Sequence, residues 1–126
     1  MKRILIALTG AVLGTVPVLA HHSFAAEYDS SAPVTVKGRV TKVEWTNPHS
    51  YVYVDVKDAS GNVVNWAIEG YPPNTLRRTG FTRDLMKPGD TVTINGWKAR
   101  DGANRMAARD VTFANGNKMY FGPTAQ

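Results

Sequence analysis

The sequence predicts a small all-β protein with one short helix, folded as a five-stranded, OB-fold-like Greek-key barrel. Apolar and polar residues alternate along five separate stretches, which is the period of half-buried strands. A Pro-containing, helix-like connection at residues 71–86 separates the first three stretches from the last two. Five strands with such an insertion match a partly open barrel. A small two-sheet β-sandwich is the alternative.

The first predicted strand, residues 34–43, contains the best evidence for a barrel. Its apolar residues alternate with polar ones as far as Val40, and the apolar phase then slips by one residue to Val43 and Trp45. A slip in a long strand, downstream of Gly38, indicates a β-bulge or a sharp coil. Strands that coil in this way belong in small barrels.

The other elements follow from the same periodicity and from turn-forming residues. A short helix is expected from Pro72 to its end near Gly80, and a second helical turn is expected after Thr82 as N-cap. The remaining strands are predicted at residues 51–56, 63–70, 91–97 and 106–113, with a short final strand at 119–121.

The N-terminal residues have the three-part pattern of a secretory signal peptide. Lys2 and Arg3 precede an apolar run at residues 4–16, and Val18 and Ala20 provide small residues at the −3 and −1 positions. The apolar run is shorter than the roughly 20 residues that a membrane span needs. The expected organisation is a signal peptide (1–20), an N-terminal arm (21–33), an OB-fold-like domain (34–122) and a tail (123–126).

Composition restricts the compartment and the classes of partner. The chain has no cysteine, so an exported form without disulfides fits a bacterial periplasm. Without Lys2 and Arg3, 13 basic and 10 acidic residues remain, a net charge of +3. The basic residues are scattered, so no nucleic-acid partner is expected. No apolar segment after residue 20 approaches spanning length, so no membrane span is expected after signal removal.

Four short motifs resemble those of a family of small exported bacterial proteins without an assigned function. They are His21–Phe24 (HHSF), residues 45–49 (WTNPH), residues 64–66 (VNW) and residues 87–90 (KPGD). The resemblance implies an exported, single-domain protein, and it implies neither a reaction nor a ligand. The strand order is more distantly similar to periplasmic OB-fold proteins that bind small or cationic ligands, which is an analogy of fold only.

The three histidines predict a candidate metal site. Cleavage after Ala20 would give His21 a free α-amino group, which can chelate a metal together with the Nδ1 atom of the same residue. A third nitrogen from His22 or His49 would suit Cu(II), which favours tetragonal nitrogen sites, and the arrangement resembles the copper histidine brace of lytic polysaccharide monooxygenases. Cleavage near Ala25 would instead remove both N-terminal histidines, and without cysteine a zinc site is less favoured.

Four residues predict a second candidate site, for a small ligand or an envelope protein. Trp45 and Asn47 lie in the loop after the first strand, and Tyr51 and Tyr53 alternate with the valines of the second strand. On an OB-fold this face, with its adjoining loops, is a common binding surface, and aromatic rings there stack on sugars, bases or apolar ligands.

No pattern of catalytic residues is recognisable, so the sequence predicts a protein that is not an enzyme. Glu44, Glu69 and Asp110 have no spacing that indicates general acid–base catalysis, and no nucleophile motif or phosphate loop is present. The leading hypothesis is a periplasmic copper-binding module. Its alternative is an envelope interaction or structural module that binds a protein or glycan through its aromatic face. A copper-dependent oxidoreductase is the less favoured third hypothesis.

Overall fold

The computed structural model describes residues 24–123 of the chain. Within this range the elements are α1 (Phe24–Glu27), β1 (Tyr28–Glu44), β2 (Ser50–Lys57), β3 (Val63–Gly70), α2 (Pro73–Arg78), a 3₁₀ turn (Arg83–Leu85), β4 (Thr91–Ala99), β5 (Arg105–Phe113) and β6 (Lys118–Tyr120). The protein is therefore mostly β, as the sequence predicts.

The strands form one sheet that curls into a partly closed ring. Their order in the sheet is β3-β2-β1-β4-β5-β6, and β3 also pairs with β5. All neighbouring pairs are antiparallel except β3–β5, which is parallel over three residue pairs from Ala67↔Arg105 to Glu69↔Ala107. This short parallel ladder connects the third and fifth strands, so the five long strands surround a common core. The predicted OB-fold-like barrel is confirmed, with β6 added beside β5.

β1 is long and coiled, and it pairs with both β2 and β4. The register with β2 shifts between Val40 and Lys42, which is the bulge that the slipped apolar phase predicts. Gly38 lies where β1 closely approaches β2, since a Cβ atom there would collide with the backbone carbonyl of Asp55. The strand begins at Tyr28 rather than at Val34, because residues 28–33 continue along β4 after a further register shift.

The core fills the inside of the ring. Its fully buried side chains come from every long strand and from the connection between β3 and β4, which contributes Leu76, Phe81 and Met86. The Phe81 ring lies 5.1 Å from that of Phe121, centroid to centroid, so the connection and the segment after β6 close the barrel together. As expected from the sequence, α2 lies just before Gly80, and Thr82 precedes the 3₁₀ turn.

A second, smaller apolar cluster lies apart from this core. Tyr28, Trp97, Ala99 and Ala107 are all buried, and Phe24 packs against them. The Phe24 ring meets Trp97 edge-on at 5.4 Å and lies 5.6 Å from the Tyr28 ring. The N-terminal arm is thereby docked on the barrel, and Phe24 and Tyr28 are the residues that hold it.

One buried carboxylate, that of Asp110 on β5, is fully hydrogen-bonded. Its side chain is 1% exposed; Asn95 Nδ2 and Arg109 Nε each donate to it at 2.7 Å, and Lys118 Nζ lies 3.5 Å away. Burial raises the pKa of Asp110, but the hydrogen bonds from Asn95 and Arg109 and the nearby positive charges outweigh it, and the net pKa is lowered.

We predict that Asp110→Asn lowers the free energy of unfolding by about 2 kcal/mol at neutral pH, because it removes charge-assisted hydrogen bonds from a buried site. A lowered folded-state pKa stabilises the protein above the ordinary value of 3.8, and this contribution is lost as the pH falls below it. Urea unfolding at neutral and acidic pH should therefore show the two proteins converging in acid. Asp55→Asn, in an exposed hydrogen bond with Asn65, is the matched control and should change stability little. Equal losses in both variants would contradict the prediction.

We predict that Ser50→Ala leaves the fold intact and raises the free energy of unfolding by about 1 kcal/mol. Ser50 is 0% exposed, and within residues 24–123 its Oγ atom has no hydrogen-bond partner. Burying an unpaired hydroxyl group is costly, so replacing it by hydrogen should stabilise the protein. Thermal and urea unfolding measure the change. A marked destabilisation would show that the hydroxyl has a partner in solution.

Candidate functional site

The candidate site lies on a face of the barrel where the five long strands and the N-terminal arm meet. The pairing register places Trp97, Ala107, Glu69, Tyr51 and Glu44 side by side across β4, β5, β3, β2 and β1. Side chains on one face of a sheet that are aligned in register lie close enough to interact. The docked arm covers the β4–β5 part of this row, and the β2–β3 part carries the polar groups.

Glu69, at the end of β3, is the centre of the site. The Tyr28 hydroxyl donates to its Oε2 atom at 2.6 Å, and the Tyr51 hydroxyl donates to the same oxygen at 3.2 Å. Its other oxygen, Oε1, lies 3.1 Å from His49 Nδ1. One carboxylate therefore joins the arm, the second strand and the loop between β1 and β2. We call these four residues the Glu69 cluster: Tyr28, His49, Tyr51 and Glu69.

His49 is positioned by both its backbone and its side chain. Thr46 Oγ1 donates to the His49 carbonyl oxygen at 3.1 Å, which ties together the loop containing the cis Asn47–Pro48 peptide. The imidazole is 42% exposed and the Glu69 side chain only 15%. Nδ1 is the ring nitrogen that faces the carboxylate, and a neutral ring with its hydrogen on Nδ1 keeps a lone pair on Nε2. His49 thus lies at a half-open position with one ring nitrogen against Glu69.

Arg105, at the start of β5, fixes the arm from the other side. Its guanidinium lies 5.7 Å from the centre of the Tyr28 ring, 3.2 Å from Asp101 and 3.9 Å from Glu27. The planar cation thus contacts an aromatic face and two carboxylates at once. It anchors α1 next to the Glu69 cluster.

The cluster is arranged to keep its phenols protonated. Burial is the main cause that raises the pKa of Tyr51 to about 12, and the charge and hydrogen bond of Glu69 add to it. Burial and the same carboxylate raise the pKa of Tyr28 further. Both hydroxyl groups are therefore hydrogen-bond donors throughout the neutral range, and neither acts as a base.

The predicted site residues divide into two groups. His49 and Tyr51 meet at Glu69, whereas Tyr53 lies two residues along β2, with its hydroxyl 3.3 Å from Glu44 and Lys42 5.4 Å from its ring centre. Trp45 packs against the barrel core, with its ring 6.1 Å from Phe81, and its indole nitrogen is buried. Asn47 is exposed in the loop. Of the predicted site residues that lie within residues 24–123, the structure places His49 and Tyr51 in direct contact with Glu69.

The other two predicted metal ligands, His21 and His22, lie outside the described residues. Within residues 24–123, no group of three or more His, Asp or Glu side chains is arranged to hold a metal ion.

Sequence reasoning identified the loop histidine but missed the role of Glu69 as the central group. Tyr51 and Glu69 occupy facing positions in the β2–β3 pair, so pairing the two strands about their turn at residues 57–62 would have brought them together. The contact with Tyr28, 41 residues away along the chain, has no comparable local signal.

Fold and site together define a small β-barrel protein with a carboxylate-centred cluster of tyrosine and histidine on its outer face. The chain belongs to the Family of unknown function (DUF6152), whose model matches residues 10–108. The expected membership in a family without an assigned function is thereby confirmed. No curated protein matches the chain. Within residues 24–123, no helix is long and apolar enough to cross a membrane.

We predict that Tyr51 ionises only near pH 12, and that Glu69→Gln lowers this pKa while burial keeps it above the ordinary value of 10.0. The phenolate absorbance of the wild type minus that of Tyr51→Phe isolates this titration in each background. The raised folded-state pKa contributes stability below pH 10 that is lost as the pH rises towards 12. Glu44→Gln, which removes a carboxylate bonded to Tyr53 instead, is the matched control. An unchanged Tyr51 titration in Glu69→Gln would contradict the hydrogen-bonded cluster.

Proposed function

We propose that the mature protein is a periplasmic binding module for copper rather than an enzyme. The proposed ligands are the α-amino group and imidazole of His21, together with Nε2 of His49. The observation that supports this most is the 3.1 Å contact between Glu69 Oε1 and His49 Nδ1, in a cluster that also holds the N-terminal arm through Tyr28.

The surroundings of His49 suit a metal ligand. Metal-binding histidines almost always direct their second ring nitrogen at a carboxylate or a carbonyl, which fixes the tautomer and raises the basicity of the coordinating nitrogen. Glu69 provides such a carboxylate, and two tyrosine hydroxyl groups in turn orient it. The half-exposed imidazole leaves its other nitrogen available to an ion from solution.

The docked arm supports the participation of His21. Tyr28 bonds to Glu69 directly, and α1 places Phe24 one helical turn before it. His21 lies three positions before Phe24 in the sequence, a length of chain that spans at most about 11 Å. The proposal requires that His21 reach His49 over this length and that export and cleavage after Ala20 free its amino group.

Copper is the metal that this ligand set favours. Three nitrogens from an amine and two imidazoles suit the tetragonal geometry of Cu(II), and the affinity of such sites for divalent metals is highest for copper. In this proposal Glu69 supports the His49 imidazole and is not itself a metal ligand, so the ligand set remains three nitrogens. The proposed role is binding of the ion; redox turnover would require bound copper and is the less favoured alternative.

We predict that the protein recovered from the periplasm begins at His21 and binds one Cu(II) ion. Native mass spectrometry gives the N-terminus and the stoichiometry, and competitive titration with a chelator gives the affinity. Loss of a supporting carboxylate typically weakens metal binding 10–100-fold, so we expect about that loss for Glu69→Gln and a larger one for His49→Ala.

Two controls separate the competing ligand sets. Glu44→Gln changes a carboxylate on the same face that bonds to Tyr53, and it should leave copper affinity unchanged. His22→Ala should also leave it unchanged. If instead His22→Ala abolishes binding and His49→Ala does not, copper is chelated by the amine, the backbone amide and His22 alone, and the role of His49 is refuted. An N-terminus beyond His22, or no bound copper, refutes the proposal as a whole.

The second candidate, an envelope module that binds a protein or glycan through Tyr51 and Tyr53, stays a prediction. Both tyrosine hydroxyl groups bond within the protein, to Glu69 and Glu44, and both rings are half-buried. A partner would have to use the edges of these rings or compete for the carboxylates. Pull-down with Tyr53→Ala, whose side chain does not contact Glu69 or His49, tests this surface independently of the copper site.

A further inference from the structure

The net charge of the described protein is concentrated in one connection. Residues 24–123 carry 13 basic and 10 acidic side chains, a net charge of +3. Residues 71–90, here called the basic connection, contain Arg77, Arg78, Arg83 and Lys87 and the acidic residues Asp84 and Asp90, a net charge of +2. Two of the three net positive charges of the described residues therefore lie in this connection.

The cations of the basic connection are exposed and free of ion pairs. None of the four has a carboxylate partner within residues 24–123, and all are exposed. On the arm side of the barrel, by contrast, Arg100 and Arg105 contact acidic groups. Unpaired, exposed cations keep their full attraction for an external negative charge.

The 3₁₀ turn of this connection lies between two open grooves. One has a volume of about 340 Å³ and is lined by Lys42, Arg83 and Lys87 together with Trp45 and Pro88. The other, of about 310 Å³, is bordered by Leu85, Phe113 and Met119. Leu85 itself is 41% exposed, which makes it one of the three large apolar side chains most open to solvent among residues 24–123. The exposed Leu85 thus lies two positions from both Arg83 and Lys87 in the sequence, and it borders a groove that is also lined by Asp90.

We propose that the basic connection docks the protein on an anionic phospholipid membrane surface. Arg83 and Lys87 contact lipid phosphates, and Leu85 enters the boundary between headgroups and acyl chains. Basic residues around an exposed apolar side chain are the combination that interfacial membrane binding uses. Charge complementarity favours this occupant, because four exposed cations without a carboxylate partner among residues 24–123 lie in this one connection, together with the exposed Leu85. The proposal is independent of copper, since none of the proposed metal ligands belongs to this connection.

The test is cosedimentation of the metal-free mature protein with two kinds of vesicle. Vesicles containing phosphatidylglycerol in phosphatidylcholine should bind the protein, and vesicles of phosphatidylcholine alone should not. Each basic residue near an anionic surface contributes about 1 kcal/mol, which corresponds to roughly fivefold in partitioning. Arg83→Gln/Lys87→Gln should thus lower partitioning on the order of twentyfold. Leu85→Ser, which leaves the charge unchanged, should lower partitioning by a smaller factor. High salt should abolish the binding to anionic vesicles.

The matched control removes two charges elsewhere. Lys37 and Lys98 lie on β1 and β4, are exposed, have no ion pair among residues 24–123 and border neither groove. Lys37→Gln/Lys98→Gln should retain most of the binding, with thermal unfolding confirming that all variants fold. Equal losses in both double variants would show diffuse charge attraction and overturn the proposal. A second outcome would also overturn the proposal: the protein stays in solution with the anionic vesicles but binds a soluble polyanion, and this binding depends on Arg83 and Lys87.

Discussion

The interaction on which the rest of the structure depends is the set of contacts made by the Glu69 carboxylate. A largely buried carboxylate is costly unless hydrogen bonds replace its lost hydration. The Tyr28 and Tyr51 hydroxyl groups provide hydrogen bonds and the His49 ring lies 3.1 Å away, and these three residues come from separate parts of the chain. Satisfying this single charge therefore couples the position of the arm to the position of the loop that carries His49.

The position of Glu69 in the barrel links the docking of the arm to the closure of the ring. Glu69 pairs with Ala107 in the short parallel ladder that joins β3 to β5, so the carboxylate lies at the seam where the ring closes. Ala107 and Ala99 have small side chains, and Trp97 and Tyr28 pack with them beneath Phe24. The arm thus covers the seam with apolar area while its tyrosine bonds to the polar group beside it. Closure of the barrel and docking of the arm support each other.

Much of the barrel could be predicted because its signals are local. Alternation of apolar residues located the strands, and the phase slip after Val40 located the bulge, since both depend on neighbouring residues alone. The start of β1 was less predictable, because residues 28–33 pair with β4 through contacts that alternation does not encode. The same limit applies to the site. His49 was recognisable from its loop, whereas the Tyr28–Glu69 bond depends on how the arm folds back over the closed ring.

Two regions of the molecule differ in whether their cations are paired with carboxylates. Around the arm, Arg100 and Arg105 are neutralised by carboxylates that also hold the chain in place, so their charges serve the structure. In the basic connection the fold is held by Leu76, Phe81 and Met86 inside the barrel, and none of its four cations has a carboxylate partner among residues 24–123. Because burial of these apolar side chains already fixes the connection, its charges are free to act on something outside the protein. The proposed copper site lies in the first region and the proposed membrane-binding surface in the second. A substitution can therefore remove one function and leave the other.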